Sequence, residues 1–201
     1  VKPVRPRHAA SLLLLRRSSK GLEVLMGRRP KKSSFAPDVF VFPGGKVDPA
    51  DYRGHAPPLA PGCLEKMVAS PGLAHALAAA ALRETWEETG LDVSAAPLRL
   101  AARAITPTMS PIRFHARFFV TDAEHAVGVP AATPELSDLA FRPLEDALKL
   151  PIIDVTEAVL HSLLEDAPPF LFTYRRGRPR ITPLAEHPEG RVFDPVLTSL
   201  I

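Results

Sequence analysis

Three carboxylates fall within five positions, at Glu84, Glu87 and Glu88, inside the run Arg83-Glu84-Thr85-Trp86-Glu87-Glu88-Thr89-Gly90. An alanine-rich stretch precedes the run and a glycine ends it, which is the composition of a helix followed by its stop signal. Residues three and four apart share a helical face, so the three carboxylates are expected to project together. Leu82 and Trp86, four apart, are expected to pair on an opposite, apolar face. A carboxylate cluster on a buried helix suits hard cations that prefer oxygen ligands, Mg²⁺ or Mn²⁺. Upstream, Phe42-Pro43-Gly44-Gly45 is a second mark. Paired glycines permit a tight turn and a close approach of backbone to a ligand.

The elements that must position these residues are legible in outline. Ala9 to Leu15 and Leu22 to Met26 read as a hairpin about the turn residues Ser18-Ser19-Lys20-Gly21. Val39 to Phe42 reads as a short buried strand that stops at the glycine turn. Residues 52 to 70 read as loop, with one helical turn near Leu64 to Val68. Ser70-Pro71 has the form of a helix cap followed by proline at the first helical position, and the helix runs on to Thr89. Leu98 to Ile105, Arg113 to Val120 and Leu139 to Arg142 read as strands, with a helical turn near Leu144 to Leu148. A second helix, capped by Asp154 or Thr156, runs to about Glu165, and a terminal hairpin spans Phe170 to Thr182. Strands, long helix, strands and helix in that order argue for a mixed sheet packed between helices, an α/β fold within a single domain over 1–201.

Composition narrows the function classes. Hydrophobic residues make up 46% and charged residues 23% of the 201 residues, as in ordinary globular proteins. No apolar run approaches a membrane span. The first residues, Val1-Lys2-Pro3-Val4-Arg5, show no apolar signal segment, and the single cysteine, Cys63, excludes an internal disulfide framework. Both features lead to the expectation of a cytoplasmic, reducing compartment. The net charge of +3 comes in clusters such as Arg16-Arg17, Arg28-Arg29 and Arg175-Arg176, which are able to attract phosphate-bearing ligands. Aromatics are 6% and are not interleaved with the basic residues, so a nucleic-acid partner is not expected.

The residues resemble the Nudix hydrolase family. Its signature runs glycine, five residues, glutamate, seven residues, then Arg-Glu-apolar-any-Glu-Glu-any-Gly-apolar. Arg83 to Leu91 matches the second half, with Thr85 in the first apolar slot, and Gly45 with Asp51 matches the first. Two departures stand out. Asp51 occupies a glutamate position, and 31 residues separate it from Arg83 where the pattern has seven. An insertion, placed at about 52–75, enters a loop and leaves the acidic helix face whole; loop closure makes such an insertion cheap. A coenzyme A diphosphatase branch with a long insert is similar, also at Thr106-Pro107, Arg113-Phe114 and Phe118-Phe119. His115 and the ending Leu200-Ile201 depart from it.

The resemblance implies an α/β/α sandwich with a mixed central sheet and a hydrolase of diphosphate bonds in small nucleotide-type substrates. It implies that Gly44 (through its carbonyl), Glu84, Glu87 and Glu88 hold Mg²⁺ or Mn²⁺. Arg83 would orient Glu87, Glu135 or Glu84 would act as base, and Arg28 and Arg29 would contact substrate phosphate. Coenzyme A or acyl-coenzyme A leads among substrates, beside ADP-ribose, NADH and dinucleotides. A non-catalytic nucleotide sensor and an isomerase are the other readings; the lone Cys63 in a non-matching loop speaks against the isomerase. Family members are often homodimers, and no interface is readable here.

Overall fold

The computed structural model describes residues 4–184. Its centre is a nine-stranded mixed sheet, and the chain folds as an α/β sandwich. Strands β1 (Arg7–Ser18) and β2 (Gly21–Arg28) begin as an antiparallel hairpin, with Leu15 opposite Val24. Beyond that pair they diverge. β1 takes β4 (Gly44–Lys46) as its partner, and β2 takes β3 (Phe40–Val41). The segment 40–46 therefore fills the fork between the two long strands. It is fastened there by a hydrogen bond from Leu12 N–H to the Pro43 carbonyl (2.9 Å). The expected stop at the glycines is thus a short strand.

On its other edge β1 runs parallel to β6 (Phe114–Asp122), which is antiparallel to β5 (Arg99–Ile105). β8 (Phe170–Arg175) lies parallel to β5, and β9 (Arg178–Pro183) closes the terminal hairpin. β7 (Ser137–Pro143) flanks the free edge of β2.

Side-chain alternation sorts β1 between two cores. Ala10, Leu12 and Leu14 face the layer that holds α1 (Cys63–Met67) and α2 (Pro71–Thr89). Leu13 and Leu15 face the layer that holds α3 (Leu144–Ala147) and α4 (Asp154–Leu164). Helix α2 begins as its sequence implies: Ser70 Oγ accepts the Leu73 N–H, Pro71 opens the first turn, and Gly90 ends the helix in the left-handed region at φ 74°. Its inner face is Ala74, Leu77, Ala78 and Ala81. Such small side chains let the helix lie close over β1, and that sets the height of the motif above β4.

Two expectations need correction. Trp86 is not a buried partner of Leu82; it is 63% exposed. The 3.6-residue period that buries Ala74, Ala78, Ala81, Thr85 and Glu88 turns position 86 to solvent. The cap of α4 is Ile153, not Asp154 or Thr156. Asp154 instead accepts the Tyr174 hydroxyl (2.6 Å), and Thr156 is buried. Residues 52 to 70 are loop with the one expected helical turn, α1, and that turn is anchored in the core. Cys63 and Met67 enter the α2-side core, and the fully buried Arg117 donates to the carbonyls of Met67 and Val68 at the end of α1. Those carbonyls have no partner within so short a helix, and a guanidinium satisfies them. Burial pushes the Cys63 thiol up to about 11, which keeps it inert.

Candidate active site

β4 places two glycines under the last turns of α2. Gly44 and Gly45 lie opposite Ser11 and Ala10 of β1. A Cβ at Gly44 would collide with the Ala10 carbonyl and Ser11, and one at Gly45 would collide with the Glu84 carboxylate. The glycines are therefore required by contact: one for the strand pairing, the other for the closeness of the helix. Gly44 N–H donates to Glu88 Oε2 at 2.8 Å and ties strand to helix.

The three glutamates share one side of α2 but differ in burial. Glu88 is 5% exposed, and the Glu84 and Glu87 side chains are 12% and 46% exposed. Burial pushes the Glu88 carboxyl up to about 8; the Gly44 N–H bond opposes this, the Glu84 charge adds to it, Arg29 opposes it and Glu135 adds to it. Glu84 is also raised, first by burial, with Arg83 opposing and the charges of Glu87 and Glu135 adding. The Thr85 and Thr89 hydroxyls, buried beside them, donate back to the carbonyls of Ala81 and Thr85 and so cost nothing unpaired.

Arg83 holds the outer carboxylates. Its Nη1 donates to Glu84 Oε1 (2.9 Å) and Glu87 Oε2 (3.0 Å). Its Nε and Nη2 form a two-pronged pair with Asp51 (2.9 and 3.1 Å), and Nη2 also reaches the Lys46 carbonyl. Asp51 is buried at the end of a 3₁₀ turn, Pro49–Tyr52, where its Oδ2 also accepts the Asp48 N–H (2.7 Å). The shortened carboxylate at this motif position thus faces arginine, and it sets the plane of the guanidinium. Asp51→Asn is expected to lower stability by about 1–3 kcal/mol, the usual effect of weakening a charged hydrogen bond. A thermal unfolding midpoint equal to that of the wild type would show that Asp51 does not clamp Arg83.

The remaining candidates lie around this core. Thr133 Oγ1 donates to the Glu88 carbonyl (3.3 Å) and accepts from the N–H groups of Glu135 and Leu136. This threonine staples the loop before β7 to α2 and brings the exposed Glu135 within electrostatic range of both Glu84 and Glu88. Sequence reading missed Thr133, because a bond across 45 positions leaves no local signal. Arg28 and Arg29 separate. Arg28 pairs with Asp38 (2.9 Å) and lies over the Phe40 ring. Arg29 bears on Glu88, and its buried Nε has no hydrogen-bond partner. His115 is buried, bonded to Arg103 Nη2 (3.1 Å) and pushed down to about 2 by burial and then by Arg117 and Arg103, so it stays neutral.

Glu84, Glu87, Glu88 and the Gly44 backbone provide oxygen donors only, the set a hard divalent cation prefers. A buried carboxylate as strained as Glu88 is stabilised by a cation, which fits these residues to that group. The motif carboxylates do not form a closed set as they stand, with Glu84 and Glu87 drawn to Arg83 and Glu88 to Gly44. Among the described residues, Asp122, Glu124 and His125 do bring their ligand atoms within 4.8 Å of one another. That group is exposed, as many surface acidic groups are without an ion.

The burial of Glu88 has a measurable consequence. The folded state holds its proton more tightly than the unfolded chain, whose value is near 4.5. Chelator-treated protein is therefore expected to lose stability as pH rises from about 4.5 towards 8, by at most a few kcal/mol. Glu88→Gln should flatten that slope in thermal unfolding between pH 5 and 8. Equal slopes in wild type and variant would contradict the assignment.

A family model described as the NUDIX domain matches residues 5–163. Among solved structures, a NUDIX hydrolase from Alicyclobacillus acidocaldarius is 29% identical with a TM-score of 0.67, covering 81% of this chain and 92% of that one. MutT proteins from Bacillus halodurans and Methanosarcina mazei share the fold at 17% and 20% identity, with TM-scores of 0.55 and 0.52. The first pair covers 87% of this chain and 97% of the other, the second 81% and 97%. No curated protein matches the chain.

Proposed function

This chain belongs to the NUDIX domain family of diphosphate-bond hydrolases, and on that premise we propose that it is a Mg²⁺- or Mn²⁺-dependent hydrolase of a nucleoside diphosphate linked to another group. The observation that carries this reading is the buried Glu88 carboxylate bonded to the Gly44 backbone, with Glu84 and Glu87 beside it. Glu84, Glu87, Glu88 and the Gly44 carbonyl would hold the cation. When bound, it supplies neutralisation of the phosphoryl oxygens and acidification of a water.

The protein's own residues do the rest. Arg83 fixes the directions of Glu84 and Glu87 and is itself fixed by Asp51, so the acidic face is organised before substrate arrives. Arg29 would take a phosphate oxygen; its charge bears on Glu88 and its buried Nε has no hydrogen-bond partner, which supports that role. Arg28 is committed to Asp38 and is the weaker candidate for that contact. Glu135 would accept a proton from the attacking water, a role supported by its exposure and by the reach of its charge to Glu88.

Coenzyme A or acyl-coenzyme A remains the leading substrate, resting on the 31 residues between Asp51 and Arg83. The other residues shared with that branch do not add to it. Arg113 is a clasp, donating to the Thr106 and Val4 carbonyls, and Phe118 and Phe119 are core. A parallel screen of coenzyme A, ADP-ribose, NADH and diadenosine polyphosphates tests the assignment. Slower coenzyme A cleavage than every rival rejects that substrate, and no cleavage of any of them with Mg²⁺ or Mn²⁺ rejects the hydrolase reading.

A further inference from the structure

A cleft of about 670 Å³ opens beside the motif. Arg7 and His8 at the start of β1 form one wall, and Asp48, Tyr52 and Arg53 form the other. Tyr52 is 51% exposed and lines the cleft, outside both core clusters. The Asp48 charge is taken up by Lys46 at 3.4 Å. Arg7 and Arg53 are exposed and form no ion pair among the described residues. The cleft therefore presents an aromatic face together with uncompensated guanidinium charge. Those two groups recognise a flat base and a phosphate: the ring by stacking, the guanidinium by paired hydrogen bonds.

Its position ties it to the chemistry. The wall that carries Tyr52 is the 3₁₀ turn whose Asp51 holds Arg83, and the Lys46 carbonyl, two residues before Asp48, accepts from the same guanidinium. Val47 N–H, between them, is bonded to the His8 carbonyl (2.9 Å), which fixes the opposite wall. A molecule seated in the cleft would thus lie against the structure that aims Glu84 and Glu87.

We propose that this cleft is the subsite for the nucleotide end of the substrate, with the base on Tyr52 and phosphate oxygens on Arg53 and Arg7. The assignment rests on the hydrolase reading for its substrate class. It gives the chain a means of selecting nucleotide-linked diphosphates over smaller ones, because the distant half of the molecule supplies binding energy away from the bond that breaks.

The experiment is equilibrium binding of AMP to the full chain, compared with Tyr52→Ala and Arg53→Ala. Both side chains are exposed, so folding is preserved. Each variant is expected to weaken AMP about ten-fold, the scale of losing one base-stacking contact at Tyr52 or one charged hydrogen bond at Arg53. Tyr52→Ala should leave inorganic phosphate binding unchanged. With ADP-ribose as substrate, KM should rise in the same proportion while kcat holds, the signature of lost uniform binding. Equal AMP affinity in wild type and both variants overturns the proposal, as does failure of the wild type to bind AMP at millimolar concentration. If the wild type cleaves no diphosphate, the hydrolase reading fails on its own, and the AMP titration still decides the cleft.

Discussion

Glu87→Gln is expected to lower kcat by about 10³-fold or more at saturating Mg²⁺, equivalent to roughly 4 kcal/mol of barrier. The side chain is half in solvent, and among the described residues its partner is Arg83 Nη1. An amide of the same shape keeps that hydrogen bond through its oxygen, so stability should barely move. What disappears is one carboxylate from a set of three, and with it part of the field that would hold a divalent cation. Treating the wild type with chelator should produce a loss of the same order. Glu88→Gln provides the contrast. It should also abolish turnover, yet above pH 5 it should raise the stability of chelator-treated protein, because it removes a carboxyl that burial penalises. Unchanged turnover in Glu87→Gln, or full wild-type activity in chelator, overturns the metal assignment.

How far such a site can be read without coordinates depends on how local its determinants are. The acidic helix was legible because its cap, its proline, its alanines and its final glycine are consecutive signals, and each is realised between Ser70 and Gly90. The mixed α/β architecture followed from the order of strands and helices, and the sheet has that form. The fork was not legible. The short strand at Val39 to Phe42 is readable and is realised as β3, but its pairing with β2, and that of β4 with β1, arises because β1 and β2 diverge around them, which no local pattern states. Trp86 departs from expectation because its i, i+4 spacing from Leu82 defines a shared face but not which face is inward, and the alanines of α2 occupy the inner one. The roles of Asp51 and Thr133 depend on partners 32 and 45 positions away. The anchoring of α1 depends on Arg117, which sits in a strand where sequence patterning anticipates core. Long-range polar contacts of this kind carry much of the site's precision and leave no periodic trace.

The same reasoning makes Glu135 the most exacting test of the chemistry. The loop before β7 has no regular structure of its own, yet the Thr133 hydroxyl bonds both the Glu88 carbonyl and the Glu135 N–H. The carboxylate of Glu135 is exposed, and its charge reaches both Glu84 and Glu88. A group so placed can take a proton from a water lying over the acidic face without itself being needed to hold the cation. Glu135→Gln is therefore expected to lower kcat by about 10²- to 10⁴-fold, the usual worth of a positioned base. Metal affinity and the unfolding midpoint should remain near their wild-type values, which separates this loss from those of Glu87→Gln and Glu88→Gln. Thr133→Val should cost less, on the order of 10-fold, by loosening the loop and leaving the carboxylate in place. If Glu135→Gln retains kcat within about three-fold, far below what general-base catalysis contributes, the proton goes elsewhere, and Glu84 becomes the residue to replace next.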